Sequence, residues 1–200
     1  MKLYFSPGAC SLSPHIVLQE SGLPFTLEKV DLRTHQTAGG TDFYQINPKG
    51  YVPALQLDDG QLLTEGPAIV QYVADLAPDK KIAPPNGTLG RVRLQEWLAF
   101  IGTEIHKGYS TLWNRDASAS DKDAAWKKLS QRYDLVEKQL AEQDYLLGQF
   151  SAADAYLFVC TNWAGMHQRS LDNWPKLQAF MTRMKARPSV QAALKAEGLL

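Results

Sequence analysis

The sequence predicts an α/β domain followed by an all-α helical bundle. Three observations carry that reading. Residues 1–80 mix short apolar runs, turn signals and helical patterns. A stretch from Ala77 to Leu89, with Pro78, Pro84, Pro85 and Asn86-Gly87, has the composition of a linker. Beyond it, the apolar residues recur at helical spacing. The expected bounds are 1–80 and 87–200. The expected order in the first domain is βαβ, a loop with a short helix, then ββα.

Lys2-Leu3-Tyr4-Phe5 reads as the first strand, and Leu12 to Gly22 as the first helix. Phe25 to Val30 is a second strand, followed by a polar, Gly-containing stretch from Arg33 to Asp42. Asn47-Pro48-Lys49-Gly50 is a turn signal. Val52 to Leu57, Asp58-Asp59-Gly60 and Leu62-Leu63 form a hairpin pattern. Thr64 to Ala77 then reads as a helix with Ile69, Tyr72, Val73 and Leu76 on one face.

In the second domain, Leu94, Trp97, Leu98, Ile101, Ile105 and Leu112 trace one long amphipathic helix. Trp126, Leu129, Tyr133, Val136 and Leu140 trace another, with Ser120 and Asp123 as its expected capping box. Ser151 and Asp154 form a second box. It opens a helix, Ala152 to Met166, so apolar all round that it belongs in the centre of the bundle. Leu177 to Met184 gives one more helix, stopped near Arg187-Pro188, and Val190 to Ala196 a short last one.

Composition narrows the function. Of 200 residues, 44% are hydrophobic and 21% charged, a balance that allows a sizeable core. Lys plus Arg and Asp plus Glu both number 21, so no net charge draws the chain to nucleic acid or an anionic membrane. No apolar run approaches the ~20 residues of a membrane span, and no signal peptide is visible. Cys10 and Cys160 lie far apart, the latter in an apolar helical segment. A structural disulfide is not expected, and a cytoplasmic location is. No spacing of His, Cys, Asp and Glu resembles a metal site. Phosphate-binding glycine loops and a Gly-x-Ser-x-Gly elbow are absent from the sequence.

Cys10 stands out. It follows a strand and a tight loop, Ser6-Pro7-Gly8-Ala9, and precedes a helix, where free backbone N–H groups favour a thiolate. A small buried core cysteine is the competing reading. In Cys10-Ser11-Leu12-Ser13 the last position is not a second cysteine, so the site has one thiol, suited to mixed-disulfide chemistry. The helix starts either at Pro14, with Ser13 as cap, or near Ser11.

Val52-Pro53 enters a strand. A cis bond there would turn the Val52 N–H and C=O outward to pair with an extended ligand. An ordinary trans proline is the base-rate reading, and the βαβ…Pro-ββα order argues for cis. Glu65 and Gly66 open a helix and could hold an ammonium group and a carboxylate, or Glu65 could simply complement the helix dipole. His106 ends a strip of small residues, Ala99, Gly102 and Thr103, which suits a groove wall as well as it suits a surface histidine. His35 could meet an anion, although a plain surface role fits its loop better. His15 and His167 receive no functional role.

Together these residues resemble the bacterial glutathione transferases of the beta class over essentially the whole chain. The resemblance rests on Ser6 to Ser11, Asn47 to Leu55, Leu63 to Ile69, Thr103 to Gly108 and Ser151 to Tyr156. It implies a thioredoxin-like first domain, a homodimer, and glutathione bound between the domains, with no further cofactor. It places Cys10 and His106 at the glutathione sulfur as catalytic residues. Val52 pairs with the cysteinyl backbone, Glu65 and the Gly66 amide take the γ-glutamyl end, and Thr103, Glu104 and Lys107 line the other side. His35 stands where the family commonly has Lys, which makes a glycyl-carboxylate contact pH-dependent. Ala99 stands where Asn is common, and Gly66 where Ser is common.

The expected activity is conjugation of glutathione to small apolar electrophiles, with thiol–disulfide exchange or a peroxidase side activity through Cys10. A non-catalytic carrier of hydrophobic ligands is one alternative, its cleft lined by Tyr109, Trp113 and Trp163. A glutaredoxin-like disulfide reductase is the other.

Overall fold

The structure is a computed structural model and describes residues 1–200. It divides into two compact units: Met1–Pro85 together with Ala186–Leu200, and Asn86–Lys185.

The first unit is built on a five-stranded sheet in the order β3-β2-β1-β4-β5. Strand β1 (Lys2–Phe5) runs parallel to β2 (Thr26–Asp31) and antiparallel to β4 (Ala54–Gln56). The hairpin partner of β4 is β5 (Leu62–Thr64), and the short β3 (Gln36–Thr37) covers the edge of β2. Helix α1 (Leu12–Ser21) connects the parallel pair and is buried almost all round, with Leu12, Ile16, Val17 and Leu18 at its core. That double coverage is what a crossover helix between parallel strands requires. Helix α2 (Gly66–Leu76) follows the hairpin and buries Ile69, Val70 and Val73. It starts two residues later than its sequence pattern suggests, because Thr64 still pairs in β5 and Glu65 turns the chain with φ 70°. The helical piece between β2 and β4 is a single 3₁₀ turn, Phe43–Gln45.

The second unit opens with α3 (Leu89–Phe100). The expected long helix does not stay regular: it widens into a π-helical turn at Ile101–His106, tightens at Lys107–Tyr109 and ends as α4 (Ser110–Trp113). Such local widening favours functional positions. Helix α5 (Ala119–Glu142) is capped by Ser118 and Asp121, not by Ser120 and Asp123. The sequence offers the same Ser-x-x-Asp spacing twice, two residues apart, and Asp123 pairs instead with Arg169 at 2.6 Å. Helix α6 (Ala152–Met166) occupies the centre, buried on nearly every face and capped by Ser151 and Asp154. Leu177, Phe180, Met181 and Met184 of α7 (Pro175–Lys185) complete the core.

The last helix corrects the expected boundary. The sequence assigns everything from residue 87 to 200 to the helical domain, yet residues 186–200 belong to the first unit. Helix α8 (Pro188–Ala196) packs on α1 through Val190, Ala193 and Leu194. Glu20 of α1 holds it there, bonded to Arg187 and to the Ser189 hydroxyl. No helix is long and apolar enough to cross a membrane.

Candidate functional site

Helix α1 begins with Ser11 as its cap, the earlier of the two starts that the sequence allows. The Ser11 hydroxyl does not cap the helix. It closes back on Ser6, donating to the carbonyl at 3.2 Å and accepting from the N–H at 3.1 Å. The loop is thereby folded on itself, and Cys10 sits immediately before the helix. Its thiol donates to the Val52 carbonyl at 3.3 Å.

The environment of that thiol reverses the sequence expectation. Burial pushes its pKa up from 9.0 to about 11, against the lowering effect of the Cys10 and Ser11 amides, and the Glu65 charge pushes it further up. Helix-start amides do favour the thiolate here, as expected, but desolvation outweighs them. At neutral pH, Cys10 is a thiol and a hydrogen-bond donor.

Val52 and Pro53 are joined by a cis peptide bond, which settles the two readings of that dipeptide. The Val52 side chain is buried against Tyr4, Val30, Phe43 and Ala54. Gly66 lies close by. A Cβ built there would stand 3.7 Å from the Pro53 ring and 3.9 Å from the Ser13 hydroxyl. Cys10, Val52 and Gly66 thus converge at one end of the sheet. Glu65 adjoins them and is half exposed, its carboxylate bonded by Lys49 Nζ and, at 3.0 Å, by the Tyr51 hydroxyl. Lys49 also donates to the Thr64 hydroxyl at 3.0 Å. Sequence reasoning gave Lys49 and Tyr51 no role, although both lie inside a motif it singled out. Their reach to Glu65 depends on the fold of the hairpin. His35 reaches the same loop further along. Its Nδ1 lies 2.9 Å from the Gly50 carbonyl and its ring packs on Tyr44 at 4.6 Å.

In the second unit, the π-helical turn separates the four expected residues. Thr103, Glu104 and Lys107 line a polar cavity of about 750 Å³ with Lys128 and Arg132. Glu104 pairs with Arg132 at 2.6 Å, and the Thr103 hydroxyl bonds back to the Ala99 carbonyl at 3.0 Å. His106 does not line that cavity. Its Nδ1 lies 2.6 Å from the Tyr156 hydroxyl, and its ring packs edge-on to Trp163 at 4.9 Å. Burial, then the charge of Lys107, lowers its pKa from 6.5 to about 4, so the ring is neutral at pH 7. The fixing of His106 by Tyr156 was invisible in sequence, where Tyr156 is one of many apolar residues of a buried helix. Of the three expected cleft aromatics, Tyr109 is a core residue, fully buried and bonded to Tyr133 at 2.8 Å, and Trp163 is nearly so. Only Trp113 is half exposed.

Family comparisons agree with this geometry. Residues 8–76 match the glutathione S-transferase N-terminal domain, and residues 96–188 the glutathione S-transferase C-terminal domain. The chain is 46% identical over 200 residues, all of both chains, to glutathione S-transferase GstA of Escherichia coli O157:H7. It is similar to the solved structure of a sphingomonad glutathione S-transferase complexed with glutathione, at 45% identity, TM-score 0.96 and full coverage of both chains. It is equally similar to the bacterial beta class enzyme of Sphingomonas chungbukensis, at 46% identity and TM-score 0.97, again over all of both chains.

Proposed function

This chain belongs to the glutathione S-transferase family and is a glutathione transferase; on that premise we propose that it joins glutathione to small apolar electrophiles with Cys10 acting as a neutral donor to the glutathione sulfur. The observation that carries the role of Cys10 is the aim of its half-buried thiol at the Val52 carbonyl, with its pKa pushed up by desolvation. When glutathione binds, the single Cys10 S–H turns from the Val52 carbonyl to the glutathione thiolate beside it, and hydrogen bonding to the charged form lowers the glutathione pKa. The thiolate then bonds to the electrophilic carbon, and the leaving group departs with its electron pair. Attack by Cys10 itself on a disulfide needs the Cys10 thiolate, which burial opposes.

The remaining roles follow the chemistry of each group. Glu65 takes the ammonium of the γ-glutamyl end, replacing Lys49 as its cationic partner, and the Gly66 N–H takes the carboxylate. The Val52 backbone pairs with the cysteinyl residue. In the helical unit, neutral His106 offers a ring nitrogen for the thiol proton, with its orientation set by Tyr156. Thr103, Glu104 and Lys107 supply polar contacts. The resemblance also makes the working form a homodimer, which sedimentation checks. The activity is tested by steady-state turnover of glutathione with 1-chloro-2,4-dinitrobenzene. Saturable conjugation is expected, and glutathione binding without turnover contradicts the reading.

A further inference from the structure

The Glu65 carboxylate is already engaged within the chain. Its Oε1 accepts from Lys49 Nζ and, at 3.0 Å, from the Tyr51 hydroxyl. A carboxylate oxygen has two lone pairs, and these two donors take both. Lys49 and Tyr51 come from one tight turn, 47–51, whose shape is set from beneath. The buried Asn47 side chain accepts the Lys49 N–H at 3.1 Å and donates to the Tyr51 carbonyl at 2.7 Å. Gly50 closes the turn with φ 71°, its N–H donating to the Asn47 carbonyl at 2.8 Å. A Cβ at residue 50 would stand 2.4 Å from the Tyr44 ring, so the position requires glycine. Both side chains therefore reach Glu65 from a fixed frame.

The ion pair is open to exchange. The Lys49 and Glu65 side chains are 45% and 55% exposed, which keeps their attraction weak. Lys49 Nζ has a second partner in the Thr64 hydroxyl at 3.0 Å, and it lies 5.9 Å from the centre of the Tyr51 ring. It can leave Glu65 and keep those contacts. Tyr51 then stays on Oε1, and the lone pair that Lys49 vacates can accept another ammonium. The bond to Glu65 holds the Lys49 pKa above its ordinary value, so Lys49 competes as a full cation at neutral pH.

We propose that Lys49 is a specificity-determining residue: it is an internal counter-ion on Glu65 that a ligand with a free α-ammonium must displace, and this exchange holds down the affinity for glutathione. One ammonium replaces another on the same oxygen, so the ligand ammonium contributes only the difference between the two contacts. A ligand whose amine is acylated has no cation to exchange and leaves Lys49 in place. Lys49 therefore narrows the gap between the two kinds of ligand. The proposal rests on the glutathione reading of Glu65.

The test is isothermal titration calorimetry of the full-length protein with S-methylglutathione, which has the free ammonium, and with its N-acetyl derivative, which lacks it. Lys49→Met is expected to lower the Kd of S-methylglutathione about threefold, the size of one exposed ion pair, and to leave that of the N-acetyl derivative as in wild type. In a Glu65→Gln background the same substitution has no such effect, because the two residues act as one pair. Weaker or unchanged binding of S-methylglutathione by Lys49→Met overturns the proposal. So does equal tightening of both ligands, or the same gain in the Glu65→Gln background. A second arm follows acetylation of Lys49 by sulfosuccinimidyl acetate, read by mass spectrometry. Saturating wild type with S-methylglutathione is expected to speed that acetylation about twofold or more, as Glu65→Gln does without ligand, since either change frees the amine from its carboxylate. Binding that slows the Lys49 rate or leaves it unchanged overturns the proposal alone. Absence of saturable S-methylglutathione binding overturns the glutathione reading, and the proposal with it.

Discussion

The thiol of Cys10 donates to the carbonyl of Val52 at 3.3 Å, a contact that spans 42 residues of sequence. It sets the direction of the thiol, while burial keeps the thiol protonated. Because the folded-state pKa is raised from 9.0 to about 11, the stability it contributes is present below pH 9 and is lost as pH rises toward 11. Urea midpoints of wild type and Cys10→Ala measured across that window should converge as the pH increases. Iodoacetamide alkylation of Cys10 should accelerate through the same window.

Glu65 is held in a backbone conformation with φ 70° and is bonded by Lys49 and Tyr51. Glu65→Gln keeps the shape and removes the charge that an ammonium group would meet. The expected result is an increase of about tenfold in the KM for glutathione, the size of one charge-assisted hydrogen bond. Initial-rate kinetics with varied glutathione check it.

The buried cap Asp154 accepts from the Leu146 N–H at 2.8 Å, the Ser151 N–H at 2.8 Å and the Ser151 hydroxyl at 2.7 Å. Asp154→Ala should destabilise the protein by about 2 kcal/mol at neutral pH, since it removes a cap and strands buried donors. Burial raises the Asp154 pKa from 3.8 to about 6, so its contribution is largest below pH 3.8 and declines as pH rises through 6. Denaturant titrations at several pH values should show the gap between wild type and variant narrowing in that direction.

For His106 the sign is opposite. Its folded-state pKa is depressed to about 4, so its contribution is present above pH 6.5 and is lost as pH falls toward 4. The stability difference between wild type and His106→Gln should therefore shrink on acidification. Thermal or urea unfolding between pH 7 and 4 measures it.

Local patterns made most of the fold legible. The boundaries of α6 can be read from the Ser151–Asp154 cap and an apolar run, because both signals lie within the helix itself. The same is true of β1, α1 and the hairpin. Three features depended on partners distant in sequence and were not legible. Helix α8 looks like any short amphipathic helix until it meets α1, and Glu197 looks like a surface glutamate until it meets Gly8 and His15. The protonation of Cys10 was misread for a related reason: its helix-start amides are local, whereas the burial that outweighs them comes from the folded unit. In the candidate site, residue types were readable but their grouping was not. A regular helix through residue 112 does not anticipate the π-helical turn that parts His106 from Thr103, Glu104 and Lys107.

The central claim is that Cys10 serves as a neutral donor to a glutathione thiolate and not as the nucleophile. The most direct measurement is kcat/KM of Cys10→Ala for glutathione conjugation to 1-chloro-2,4-dinitrobenzene, taken as a pH profile. Loss of one hydrogen bond to a charged sulfur predicts a fall of about tenfold and a rise in the apparent pKa of the bound glutathione thiol. A fall to the uncatalysed rate, with glutathione still bound, would contradict the account and make Cys10 the reacting sulfur.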